Sequence, residues 1–110
     1  MIKLNSQNKI YVFCPAYYQT GGTELAHQLV NYLRNNDRDA KIVYEKNNKI
    51  INAEIPHNFK IYNIESTIEI EDHFENIIVL PEIYFYFAEK FNTIQFAFWW
   101  MSVDNFYQSA

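Results

Sequence analysis

The chain has 110 residues and a formal net charge of −4, from nine Lys and Arg against thirteen Asp and Glu. That length suits one compact domain with a single core and leaves no room for two. A hydrophobic content of 49% excludes a disordered chain, and an acidic balance without any basic run excludes nucleic-acid binding through phosphates. The lone cysteine, Cys14, excludes an internal disulfide and fits a reducing compartment, the cytoplasm. The first ten residues hold no apolar stretch of signal-peptide or membrane-anchor length. His27, His57 and His73 fall at no metal-ligand spacing and have no second cysteine to join, so no metal and no cofactor is assigned.

Ile10 to Cys14 is an unbroken apolar run rich in β-formers, which predicts a strand covered on both faces, ended by Pro15. Gly21 and Gly22, the only glycines, stand together before a helix predicted to begin near Thr23. Glycine opens φ/ψ values closed to other residues and admits a close backbone or ligand. The Thr23 hydroxyl suits a cap, and Glu24 suits the positive end of the macrodipole. Leu25, Ala26, Leu29, Val30 and Leu33 are expected to form the buried stripe, with His27, Gln28, Asn31 and Arg34 on the solvated side. Polar residues 35–39 end the helix.

Ala40 to Tyr44 predicts a second strand, and strand, helix and strand within about 35 residues is the size of a parallel crossover. Lys46 to Ile55 reads as a polar connection, Phe59 to Ile64 as a third strand after Pro56, and Thr67 to Glu71 as an exposed edge or extended lead-in. Asn76 to Leu80 predicts a further central strand, followed by a helix over Ile83 to Phe91 and a last strand from Thr93 to Trp99. The expected fold is α/β: a three-layer Rossmann-like domain with a mostly parallel sheet of about five strands in the order 3-2-1-4-5.

Ligands of open parallel sheets bind beyond the carboxyl ends of the strands, where the strand order reverses. Three polar clusters are expected to meet there: Gly21, Gly22, Thr23 and Glu24; Pro81 and Glu82; and Ser102, Asp104 and Asn105. The glycine pair has two readings, a helix N-terminus facing a phosphate or sugar hydroxyl, or a tight turn alone. Glu82 and Asp104 are carboxylates suited to a general base or to accepting from sugar hydroxyls, or else to capping a helix and closing a turn. Nine aromatic residues lie between Tyr84 and Trp100, more rings than a domain of this size encloses, so part of that segment is expected to face a second copy, a partner or a membrane interface.

With these residues placed, the chain resembles the N-terminal half of a GT-B retaining glycosyltransferase of the bacterial surface-polysaccharide type. Thr20 to Leu33, TGGTELAHQLVNYL, is similar to the glycine turn and amphipathic helix near the start of those enzymes. Ile77 to Tyr84, IIVLPEIY, and Phe98 to Tyr107, FWWMSVDNFY, resemble the later strand ends of a polysaccharide-building subgroup. The resemblance implies an acceptor-side domain, with Gly21 and Gly22 in the turn facing the cleft and Asp104 near the position where many members carry a histidine. It also implies that the nucleotide-sugar domain is absent from this chain, so that a truncated enzyme or one subunit of a split one is expected. Such a chain would act on a sugar or glycolipid acceptor and meet a nucleotide-sugar only with a C-terminal partner, at the inner face of the membrane. The alternative is a non-catalytic Rossmann-like interaction module that self-associates through segment 84–100. A receiver-like domain lacks the acidic pair it needs, because Cys14 and Pro15 stand at the end of the first strand.

Overall fold

The computed structural model describes residues 8–16, 21–47, 49–81 and 89–99. Five strands, β1 (Lys9–Pro15), β2 (Asp39–Lys46), β3 (Lys49–Ile51), β4 (Ile77–Pro81) and β5 (Gln95–Trp99), form one sheet in the order β3-β2-β1-β4-β5. One long helix, α1 (Gly21–Asn35), connects β1 to β2. β1 runs parallel to both β2 and β4, and β4 parallel to β5, whereas β2 and β3 are antiparallel. The expected strand order is present, but the sheet is mixed rather than mostly parallel.

β1 is central because its residues are apolar on both faces. Ile10, Val12 and Cys14 join Ala40, Ile42 and Tyr44 of β2 beneath Ala26 and Val30 of α1. Tyr11 and Phe13 join Val43, Ile78, Leu80 and Ile94 on the other face. This period-two alternation gives the domain two cores separated by one sheet. Among the described residues only the first core carries a helix. The helix expected over 83–91 would cover the second; its residues 83–88 lie outside the described residues, while Phe91 packs into that core beside Phe96.

The third strand is not where the pattern placed it. Residues His57–Tyr62 form a 3-10 helix after Pro56, closed by Asn63 in the left-handed region at φ 50. Phe59 alone of this segment is buried, while Ile61 is exposed, so the run lacks the alternation a strand would bury. The third place in the sheet goes to Lys49–Ile51 instead. Asn47 at φ 54 turns β2 back on itself, and Lys46 pairs with Lys49 across the turn. Below β3 the outer edge of β2 is met by Ser66: the Ile42 N–H donates to the Glu65 carbonyl and the Thr67 N–H to the Ile42 carbonyl, both at 3.0 Å. Thr67 to Glu71 is thus a lead-in and not a strand.

Two side chains fasten the end of the chain to this frame. Asn76, buried, accepts from the Lys9 N–H and donates to the Glu71 carbonyl, each at 3.0 Å, while its own carbonyl accepts from the Gln95 N–H. The Asp72 carboxylate accepts from the backbone N–H groups of Asn92, Thr93 and Ile94 at 2.8, 3.0 and 2.9 Å. Those bonds, first that from Asn92 and then that from Thr93, hold its carboxyl down at about 2. A depressed carboxyl favours the folded state above its ordinary value of 3.8, and that contribution is lost as the pH falls from there toward about 2. Asp72→Ala is therefore expected to raise amide exchange at Asn92, Thr93 and Ile94 roughly tenfold or more at neutral pH while leaving β1 unchanged. Unaltered exchange at those three amides would show that the clamp contributes nothing.

Candidate functional site

The carboxyl ends of β1 and β2 and the first turns of α1 enclose a buried polar group. Cys14 and Tyr44 are neighbours in the β1–β2 register and point to the helix side of the sheet. His27 descends on them from α1 and is fully buried, as is Tyr44 to within 1%. Nδ1 of His27 lies 2.6 Å from the Thr23 carbonyl, and Nε2 lies 2.7 Å from the Tyr44 hydroxyl. A carbonyl only accepts, so Nδ1 carries the proton; the bare Nε2 then accepts from Tyr44. The imidazole packs on Phe59 of the 3-10 helix with ring centroids 4.3 Å apart. One side chain thereby joins α1, β2 and the 3-10 helix.

Burial sets the electrostatics here. It lowers the His27 pKa, against a smaller opposing effect of the hydrogen bond to Thr23, so the ring is neutral at neutral pH. It raises the Tyr44 hydroxyl well above its ordinary range, with the neighbouring Cys14 adding to the effect, and pushes the Cys14 thiol up to about 12. Cys14 donates to the Pro15 carbonyl at 3.4 Å. A neutral imidazole sealed on both nitrogens, an inert thiol and a protonated phenol position the elements around them; none can reach a substrate as it stands.

His27 was expected on the solvated side of α1, and the structure reverses this. The buried face consists of Thr23, Ala26, His27 and Val30, while Leu25 is 38% exposed. At about 100° per residue, His27 lies about 60° from Val30 around the helix and Leu25 about 140° from it. The spacing that reveals the true face was present, but hydrophobicity alone gave Leu25 precedence.

The glycine turn also differs from expectation. α1 begins at Gly21, not Thr23, and neither glycine has a positive φ, so neither is needed for backbone conformation. What remains is the space left by the missing Cβ. Thr23 is buried at 2% exposure and does not cap from outside. Glu24 is exposed, and its Oε1 accepts from Gln28, whose amide also donates to the Tyr62 hydroxyl at 3.2 Å. Glu82, Ser102, Asp104 and Asn105 lie outside the described residues, so their expected meeting with the glycine turn has no geometry here.

Surface cavities lie at one end of the sheet and beside the 3-10 helix. One, of about 460 Å³, lies at the amino ends of β1 and β2, where Lys9 pairs with Glu71 at 2.6 Å and Lys41 with Glu65 at 3.9 Å. Its charges answer one another across solvent. The other, of about 520 Å³, lies along residues 52–57 and Lys60, beside the 3-10 helix. Among the described residues no three His, Cys, Asp or Glu side chains are grouped to hold a metal, and no helix is long and apolar enough to cross a membrane. Comparison with protein families, with curated proteins and with solved structures returns no match to this chain.

The burial of Cys14 has a direct chemical consequence. With its pKa moved from 9.0 to about 12, the thiolate fraction near neutral pH falls about a thousandfold. Native protein is expected to react with a neutral thiol reagent about a thousandfold more slowly than protein unfolded in guanidinium. Labelling of the native chain as fast as of the unfolded one would place Cys14 outside the core.

Proposed function

We propose that this chain supplies the acceptor side of a sugar-transfer cleft, as the N-terminal, three-layer Rossmann-like domain of a retaining glycosyltransferase that builds surface polysaccharide. The observation that supports the reading is the placement of Gly21 and Gly22. They open α1 just beyond the carboxyl end of β1, the strand from which the order 3-2-1-4-5 runs outward in both directions. Ligand-binding crevices of open α/β sheets form at that point. On this reading the glycines let an acceptor sugar approach the backbone, and the exposed Glu24 accepts from its hydroxyls. Thr23, being buried, shapes the wall from behind and does not touch the acceptor.

The remaining roles follow from the same reading. Glu82, Ser102 and Asn105 bind acceptor hydroxyls, and Asp104 serves as the base that takes the proton from the attacking hydroxyl. Donor binding falls to a second domain or subunit, so the chain on its own turns over no nucleotide-sugar. Its place is the cytoplasm, at the inner face of the membrane where glycolipid acceptors lie.

Nuclear magnetic resonance on the labelled chain tests this with two kinds of probe, neutral oligosaccharides and UDP-glucose. Oligosaccharides are expected to move the amide signals of Gly21, Gly22 and Glu24, and UDP-glucose is expected to remain uncleaved. Cleavage of UDP-glucose by the chain alone, or oligosaccharides that leave those amides unmoved, would contradict the acceptor-side reading. Concentration-dependent signal loss confined to segment 84–100 would favour an interaction module instead.

A further inference from the structure

We propose that the buried chain Tyr44–His27–Thr23 is an acid-released latch, which holds the first turns of α1 and the 3-10 helix on the sheet while His27 is neutral and frees them when it is protonated. The inference is independent of the sugar-transfer reading.

The geometry allows the neutral imidazole only one tautomer. Nδ1 is already committed as a donor to the Thr23 carbonyl, so an added proton must go to Nε2. Nε2 then becomes a donor facing the Tyr44 hydroxyl at 2.7 Å. The hydroxyl has to turn and accept, and its own proton loses the acceptor it has on the neutral ring. The new positive charge meets no carboxylate among the described residues that pack on it. From β1 the titratable neighbour on this face is Cys14, a donor to the Pro15 carbonyl. From β2 it is Tyr44 itself, since Glu45 takes the alternate register and faces the other side of the sheet. From the 3-10 helix come the Phe59 ring and Tyr62, while His57 and Lys60 are exposed. On α1, Glu24 is exposed and engaged by Gln28. The Phe59 face offers the cation less than an ion pair would.

An unpaired buried cation is relieved by moving to water. The part that can move is the part His27 holds: α1 around Thr23 and the 3-10 helix through Phe59. β1 and β4 are paired along both edges, which holds them in the sheet when the ring is charged. Because burial lowers the His27 pKa, the released ring binds a proton more readily than the ring in place, and the loss sets in at the ordinary histidine range. The folded arrangement is fully favoured above that range and is lost as the pH falls through it.

Amide-exchange protection factors of the full chain, measured from about pH 8 to about pH 5, test the latch. Protection at residues 24–28 and 59–63 is expected to fall by up to about tenfold per pH unit once His27 titrates, while Val12, Phe13 and Ile78 stay protected. His27→Gln can donate to the Thr23 carbonyl and accept from Tyr44 without titrating, and it is expected to remain protected throughout. Tyr44→Phe removes the donor that favours the neutral ring and is expected to move the release to higher pH. Three results would overturn the proposal: protection at 24–28 and 59–63 that does not change with pH, equal loss at Val12 and Phe13, or a Tyr44→Phe release at the wild-type pH. The last holds even if His27→Gln fails to fold.

Discussion

Five consecutive side chains of β1, Ile10 to Cys14, are no more than 5% exposed, and this two-sided burial is the constraint the rest of the fold answers. Each fully buried Val, Ile or Phe favours the folded chain by roughly 1.5–3 kcal/mol, but only if both faces of the strand are covered at once. Parallel pairing with β2 and β4 satisfies the backbone, and α1 closes one face. The residues gathered around Phe13 and Leu80 form the other. Polar groups are accordingly displaced to the strand ends, where Asn76 and Asp72 tie loops to strands by hydrogen bonds to backbone.

The helix-side core makes one exception, and its chemistry follows from the same constraint. A buried imidazole is tolerated when each nitrogen has a partner and the ring stays neutral. The Thr23 carbonyl and the Tyr44 hydroxyl provide both partners, and Phe59 covers the ring face. The result is a polar contact with geometric direction inside an otherwise apolar layer. Apolar contacts alone would let α1 slide over β1 and β2, whereas the bond from Tyr44 to Nε2 ties the helix to β2 and the bond from Nδ1 to the Thr23 carbonyl, within α1, sets the ring that receives it. They thereby fix the position of Gly21 and Gly22 at the carboxyl end of β1, two residues before Thr23.

The parts of this fold legible in the sequence are those whose signal is continuous. The apolar runs at 10–14, 40–44 and 77–80 became β1, β2 and β4, and the polar cluster 35–39 ended α1. Where the signal depends on which side chain faces inward, it misled. Phe59 to Ile64 looked extended because it is apolar, yet it buries one ring and turns at Asn63. The hairpin that supplies β3 was marked only by the asparagines after Lys46, a turn signal outweighed by the polarity of the stretch. His27 reads as a polar-face residue by its chemistry, although helix geometry places it beside Val30. Of the expected site, Gly21, Gly22, Thr23 and Glu24 form the first turn of α1, and Glu82, Ser102, Asp104 and Asn105 lie outside the described residues, so the meeting of the three clusters has no geometry here.

The helix-side core depends most on the protonation state of one ring, and that state can be read directly. Long-range nitrogen–proton correlation on the labelled chain at neutral pH distinguishes the two neutral tautomers of His27 from the imidazolium. The predicted spectrum shows Nδ1 protonated and Nε2 bare, accepting from Tyr44. A charged ring, or a proton on Nε2 with Nδ1 bare against the Thr23 carbonyl, would contradict the link between α1 and β2 on which the structure of the site rests.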